Sequence, residues 1–316
     1  MIKHTTYNSF KEGPHLVVLG AVHGNEPAGT QAIQKFAQEI DEGKATISKG
    51  KVTFVPICNP LAYEQKKRFV ERNLNRSLYP KQTYTAYEDQ IDPILCAILD
   101  QADFLLDIHS YHTKGGAFAF LGTSNDTEID FAVATGLEHY IYGWSEAFGS
   151  SGQNYYESMG TTEYTRYTGE LPALKEGEPA PVKSKKGVGM TLECGQHDNP
   201  DNAQIAYKAI TNVVSYLGLD RSEDASTDLS KFSHPDVSYI QMKQVFIKEK
   251  SGELIKDWRH CDQVQKGDLI AKYDDGEELL APDDGLIILP FAASNHEKRE
   301  EWFYFGVKTD RPAAKD

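Results

Sequence analysis

The sequence predicts an α/β fold: a mixed, mainly parallel sheet flanked by helices, followed by a small all-β region toward the C-terminus. Three observations lead there. Strand-like and helix-like runs alternate through the first two-thirds of the chain, and the strand-like runs there are continuously apolar. The last third has short strand-like runs only, separated by Gly, Asp and Pro.

The elements follow in order. Residues 15–22 (HLVVLGAV) read as a buried strand. A Gly-Asn turn leads to a helix from 27 to about 40, where Pro27 suits a first helical position and Ala32, Ile33, Phe36, Ala37 and Ile40 recur at helical spacing. Residues 51–57 are a second strand, 88–99 a helical stretch and 104–108 a third strand. Residues 111–187 are rich in Gly, Tyr, Ser and Thr and read as loops and short elements over one edge of the sheet. A strand at 188–194 and a helix at 202–217 close the alternating part. The polar stretch 220–234 reads as a linker, and strands are expected at 237–248, 254–255, 269–273, 279–281 and 286–289. The expected division is therefore a domain at 1–219, a linker at 220–234 and a small β domain at 235–316.

Composition narrows the function. The chain has 316 residues, 40% of them apolar, which is that of an ordinary globular protein with ample core. Its 33 Lys and Arg against 47 Asp and Glu give a net charge of −14, which argues against nucleic-acid binding. The apolar runs are strand-sized and MIKHTTYNSF has no signal-peptide core, so a cytoplasmic chain with no membrane partner is expected. Four scattered cysteines form no disulfide framework or cysteine zinc pattern. No heptad seam is visible, which leaves a homo-oligomer open.

Four stretches carry chemistry, each at or after the end of a predicted strand, the edge where open α/β sheets bind ligands. In His23-Gly24-Asn25-Glu26 a tight turn could bring an imidazole and a carboxylate together; alone, it reads as an ordinary turn with an exposed His. In Asp107-Ile108-His109, strand alternation puts the Asp and the His on one side; alone, that is a satisfied core pair. Together, His23, Glu26 and His109 make a His₂Glu set, the pattern of a catalytic zinc with an open position, and Asp107 stands behind it. Glu193 sits in an apolar strand, where a carboxylate is either paired to a base or serves as the proton acceptor of metal-assisted hydrolysis. Residues 66–76 hold five basic residues and one acidic, a local reversal of sign that focuses anions. Two lone histidines, His112 and His197, either enter the site or lie at the surface, and the surface is the expectation.

In this order, H-G-N-E, N-L-N-R, D-I-H and L-E-C-G resemble the succinylglutamate desuccinylase/aspartoacylase family of the zinc carboxypeptidase clan, over roughly residues 15–217. The resemblance implies a zinc carboxypeptidase-like sheet with one Zn²⁺ on His23, Glu26 and His109, and Glu193 as general base. The family's carbonyl-polarising arginine lies seven residues before its Asn-Arg pair, which falls on Arg68. The pair that holds the substrate's carboxylate becomes Asn75 and Arg76. Many members have Asp before Leu-Asn-Arg; this chain has Asn73. Aspartoacylases also bind a side-chain carboxylate with an arginine and a tyrosine before the catalytic Glu, for which Arg166, Tyr164 and Tyr167 are the candidates. The implied activity is removal of an acyl group from a small anionic N-acyl amino acid. A metallocarboxypeptidase for short peptides and a catalytically silent zinc or ligand-binding protein are the alternatives. Residues 266–268 and 281–285 are similar to biotinyl/lipoyl-like hairpins, but Lys243 lies within a predicted strand and is rejected as a carrier lysine.

Overall fold

The computed structural model describes residues 1–81, 83–122, 125–149, 155–172, 179–220, 228–291 and 301–313. The first strands are β1 (Thr5–Asn8), β2 (His15–Leu19), β3 (Lys51–Val55), β4 (Phe104–Tyr111), β5 (Phe118–Phe120) and β6 (His139–Tyr142). Two short strands, β7 (Gly169–Glu170) and β8 (Val182–Lys183), pair with each other, and β9 (Val188–Gln196) returns to the centre. The helices are α1 (Ala28–Asp41), α2 (Pro60–Gln65), α3 (Asp92–Leu99), α4 (Asp126–Val133), α5 (Trp144–Gly149), α6 (Tyr155–Ser158), α7 (Thr161–Arg166) and α8 (Asn202–Tyr216). Then come β10 (Ser238–Ile247), β11 (Gly252–Leu254), β12 (Asp262–Val264), β13 (Leu269–Tyr273), β14 (Glu278–Leu280), β15 (Gly285–Ile288) and β16 (Glu301–Thr309).

Strands β2, β3, β4 and β9 pair in parallel at the centre of the sheet. They are apolar on both faces because helices cover both. Leu16 and Val18 face one core with Ile33, Phe36 and Ile210, under α1 and α8. Val17 and Leu19 face the other with Leu95, Leu99 and Tyr164, under α3 and α7. Full burial of each such side chain is worth about 1.5–3 kcal/mol.

Residues 238–309 extend this sheet. β10 pairs in parallel with β6 and antiparallel with β16, so the strand order is β1-β3-β2-β4-β9-β5-β6-β10-β16-β15-β12. The α/β part and the all-β part thus share one hydrogen-bonded sheet, with β11, β13 and β14 as a separate small one. Much of the expected linker, residues 221–227, lies outside the described residues, as does 173–178 of the Pro/Lys-rich stretch. Among the described residues no helix is long and apolar enough to cross a membrane. The stretch 111–187, read from sequence as loops and short elements, contains four short strands, β5 to β8, and four helices among its described residues. Most are too short to show a period.

Candidate active site

The turn between β2 and α1 carries His23 and Glu26. Its shape depends on Gly24: a Cβ there would lie 2.1 Å from the carbonyl carbon of Ala62 in α2, a backbone that cannot yield. Gly24 also donates its N–H to the carbonyl of Arg68 at 3.1 Å, tying this turn to the basic loop. His109 reaches the same point from the end of β4. Asp107 and His109 project opposite to Leu106 and Ile108, which pack in the α1 and α8 core.

The three side chains converge. Glu26 Oε1 lies 3.0 Å from His23 Nδ1, Glu26 Oε2 lies 2.9 Å from His109 Nδ1, and the two Nδ1 atoms are 3.2 Å apart. All three residues are buried, and their candidate ligand atoms lie within 4.8 Å of one another. The far side of each ring has an acceptor. His109 Nε2 meets Asp107 Oδ2 at 2.8 Å, and His23 Nε2 meets Asn73 Oδ1 at 2.9 Å. That Asn73 atom also accepts the N–H of Asn75 at 2.9 Å, so it is the oxygen, and His23 donates to it. With both protons held at Nε2, both Nδ1 atoms can offer lone pairs to a cation.

Burial and the Arg68 charge lower the His23 pKa to about 4. Burial works against a charge on His109 too, but Asp107 and Glu26 on either side hold its pKa well above the ordinary value. Two imidazole nitrogens and a carboxylate, with negative charge on both sides of one ring, suit a zinc-type divalent ion. The residues fit the metal that the sequence implies.

Glu193 stands beside His109 across the parallel β4–β9 pair. Its Oε2 is buried with no hydrogen-bond partner among the described residues, and burial pushes its pKa up to about 8. Such a carboxylate is suited to accept and return a proton near neutral pH.

His23, Asn73, His109 and Glu193 line one cavity of about 930 Å³. Arg68, Asn75, Arg76 and Arg166 line it as well. Arg68 is half exposed and reaches Glu26 Oε1 at 3.0 Å. Asn75 uses its Oδ1 within the protein, and its Nδ2 has no protein partner among the described residues. The Arg76 guanidinium lies 5.2 Å over the Trp144 ring and 3.2 Å from Glu301. Arg166 stands 3.7 Å from Glu128 and 3.8 Å from Glu163, and its buried Nε has no hydrogen-bond partner among the described residues.

Two expected candidates lie elsewhere. Tyr167 is the extended residue that ends α7, and its hydroxyl turns to Tyr156 and the carbonyl of Glu170, away from the cavity. Tyr164 is buried in the α3 core and bonds Asp100 at 3.0 Å. The net positive charge of 66–76 is also less available than its count suggests. Arg72 is held by Asp89 at 3.0 Å and Asp92 at 2.7 Å, which makes it a staple of the loop. Glu88, fully buried, accepts the N–H groups of Val70, Glu71 and Arg72 and fixes the backbone that carries Arg68.

Sequence reasoning left out several residues of the cavity. His112 and His197 line it; His197 Nδ1 meets Ser110 Oγ at 2.8 Å. Glu301 and Tyr304 enter from β16, a strand that was not anticipated. The aromatic run 302–305 was its one visible mark.

The chain is similar to known proteins in sequence and in fold. Residues 12–171 match the model of the succinylglutamate desuccinylase/aspartoacylase catalytic domain. The chain is 26% identical to an N-alpha-acetyl-L-2,4-diaminobutyric acid deacetylase of Halomonas elongata, over 86% of this chain and 74% of that protein. It is 28% identical to a probable aspartoacylase of Nostoc, over 71% of this chain and 78% of that one. In fold it is similar to a succinylglutamate desuccinylase/aspartoacylase from Rhodobacter sphaeroides, with a TM-score of 0.70 at 17% identity over 98% of this chain and 89% of that one. The product-bound ectoine utilization protein EutE (DoeB) from Ruegeria pomeroyi gives 0.70 at 20% identity, over 97% and 89%.

Proposed function

Since the chain belongs to the succinylglutamate desuccinylase/aspartoacylase family, we propose that it is a zinc-dependent amidohydrolase removing the acyl group from a small N-acyl amino acid. One observation carries the reading: the His23, Glu26 and His109 ligand atoms meet beside a buried Glu193 oxygen that has no hydrogen-bond partner among the described residues, at the wall of one cavity. A zinc ion held by those three residues would supply a Lewis acid and lower the pKa of water toward 7.

The rest falls to the chain itself. Glu193 takes a proton from the attacking water and returns it to the leaving amine nitrogen. Arg68 donates to the oxygen on which negative charge develops, a contribution of roughly 3–4 kcal/mol for such a donor. The Asn75 amide and the Arg76 guanidinium hold the substrate's carboxylate, with Glu301 and Trp144 fixing the Arg76 plane. Arg166, whose Nε has no hydrogen-bond partner among the described residues, offers a place for a second anionic group on the substrate.

The cavity volume of about 930 Å³ also favours a second reading, hydrolysis of short peptides from the carboxyl end. Amine release by the zinc-loaded protein, with a chelated control, tests both readings. The panel holds N-acetylaspartate, N-succinylglutamate, Nα-acetyl-diaminobutyrate and acetylated di- and tripeptides. Release from single N-acyl amino acids that disappears on chelation is the expected result. Preference for peptides would replace it with the second reading. Glu193→Gln should abolish turnover while zinc stays bound; near-normal activity of that variant would remove Glu193 from its role.

A further inference from the structure

His109 and Asn75 have different tasks and come from distant parts of the chain, yet the partners of both meet at one residue. Thr161, the first residue of α7, is fully buried and does not line the cavity. Its hydroxyl donates to Asp107 Oδ2, the same oxygen that lies 2.8 Å from His109 Nε2. Its backbone N–H donates to Asn75 Oδ1 at 2.9 Å, and its hydroxyl oxygen lies 3.4 Å from that atom. A hydroxyl has one proton to give. The closer contact takes it, so Asp107 receives the hydroxyl and Asn75 receives the backbone.

Neither side has much else to hold it. Asp107 Oδ1 is buried with no hydrogen-bond partner among the described residues, so the carboxylate is oriented by Thr161 and His109. Asn75 Oδ1 is pressed against the start of α7: a Cβ on Gly160 would lie 2.3 Å from it. That seat turns the amide so that its nitrogen is left for the cavity.

We infer that Thr161 is a positioning residue that sets the metal-side histidine and the substrate's carboxylate clamp in one frame. This rests on the metal and carboxylate roles proposed above. Through Asp107 it fixes the plane of the His109 ring; through Asn75 it fixes the hydrogen-bond donor for the substrate. A shift at the start of α7 would then disturb both together. Two independent packing roles would let them fail separately.

The test compares Thr161→Val, which keeps the shape and removes the hydroxyl, with Thr161→Ser, which keeps the hydroxyl. Zinc affinity of each full-length protein is read by competition with a chromophoric chelator. KM and kcat are then measured at saturating zinc for the best N-acyl amino acid of the panel. Thr161→Val is expected to lose about tenfold in zinc affinity, the scale for removing a partner behind a metal-ligating histidine. Its KM should stay within about twofold of the parent, because the Thr161 N–H still holds Asn75 Oδ1. Thr161→Pro, which removes that N–H as well at a first helical position that tolerates proline, should raise KM at least ~3-fold with a smaller change in kcat. Thr161→Ser should keep zinc affinity and KM within about twofold of the parent. Unchanged zinc affinity in Thr161→Val overturns the inference. So does a serine variant as impaired as the valine one, since packing of the methyl group would then be the cause. Unchanged KM in Thr161→Pro refutes the shared frame. If the parent protein holds zinc but cleaves no N-acyl amino acid, the deacylase reading fails, and the chelator competition still decides the role of the hydroxyl.

Discussion

At the scale of single residues, the site turns on which nitrogen of each histidine keeps its proton. Both rings are oriented from behind, His109 by a carboxylate and His23 by a neutral amide. The second acceptor is verifiable, because Asn73 Oδ1 also receives the N–H of Asn75. Replacing Asn73 with alanine leaves His23 Nε2–H without its acceptor and frees the ring to turn. Zinc affinity in a chelator competition should fall roughly 10-fold or more, with turnover at saturating zinc much less affected. Equal affinities for the parent and Asn73→Ala would show that the ring is held by other contacts.

At the scale of elements, the basic loop is a scaffolded piece of chain. Arg72 is mostly buried between Asp89 and Asp92, and Lys81 also reaches Asp92. Arg72→Met should destabilise the protein by about 3 kcal/mol, because removal of one partner leaves buried carboxylates uncompensated. Urea unfolding would measure this; a loss under 1 kcal/mol would mean that Lys81 alone neutralises the pair. The elements that could be read from sequence share a physical trait. β2, β3, β4 and β9 are buried on both faces, so an unbroken apolar run marks them, and α1 and α8 show a helical apolar stripe. The His23, Glu26, His109 and Glu193 group was legible for the same reason: polar side chains stand out at the ends of such strands. β16 was not. A bulge at Trp302 lies in its pairing with β10, where Phe246 faces Phe303 but Ile247 faces Glu301. The extra residue resets the alternation and lets Glu301 and Tyr304, three positions apart, line the same cavity. Period-two reading would have put them on opposite faces.

At the scale of the whole molecule, the expected boundary around 220–234 separates two compositions within one continuous sheet. We propose that the two parts are not independent. β10 covers the edge of β6, and β16 brings Glu301 to Arg76, 225 residues away in sequence. A chain cut after Leu219 would expose the β6 edge and lose one wall of the cavity. It should aggregate or unfold well below the full-length protein in a thermal melt, and show no deacylation. A monomeric fragment with the parent's melting temperature would support the two-domain division instead.

The Arg76–Glu301 contact has a further consequence, for the time course of biosynthesis. The ribosome delivers His23 and Glu26 early and β16 last among the described strands. Until the chain beyond residue 300 has emerged, the nascent protein carries the His23, Glu26 and His109 side chains but not the enclosure around them. Such a long-range closure raises the contact order and makes it a late folding step. The emerging chain thus acquires its reactive groups before the walls that select what reaches them.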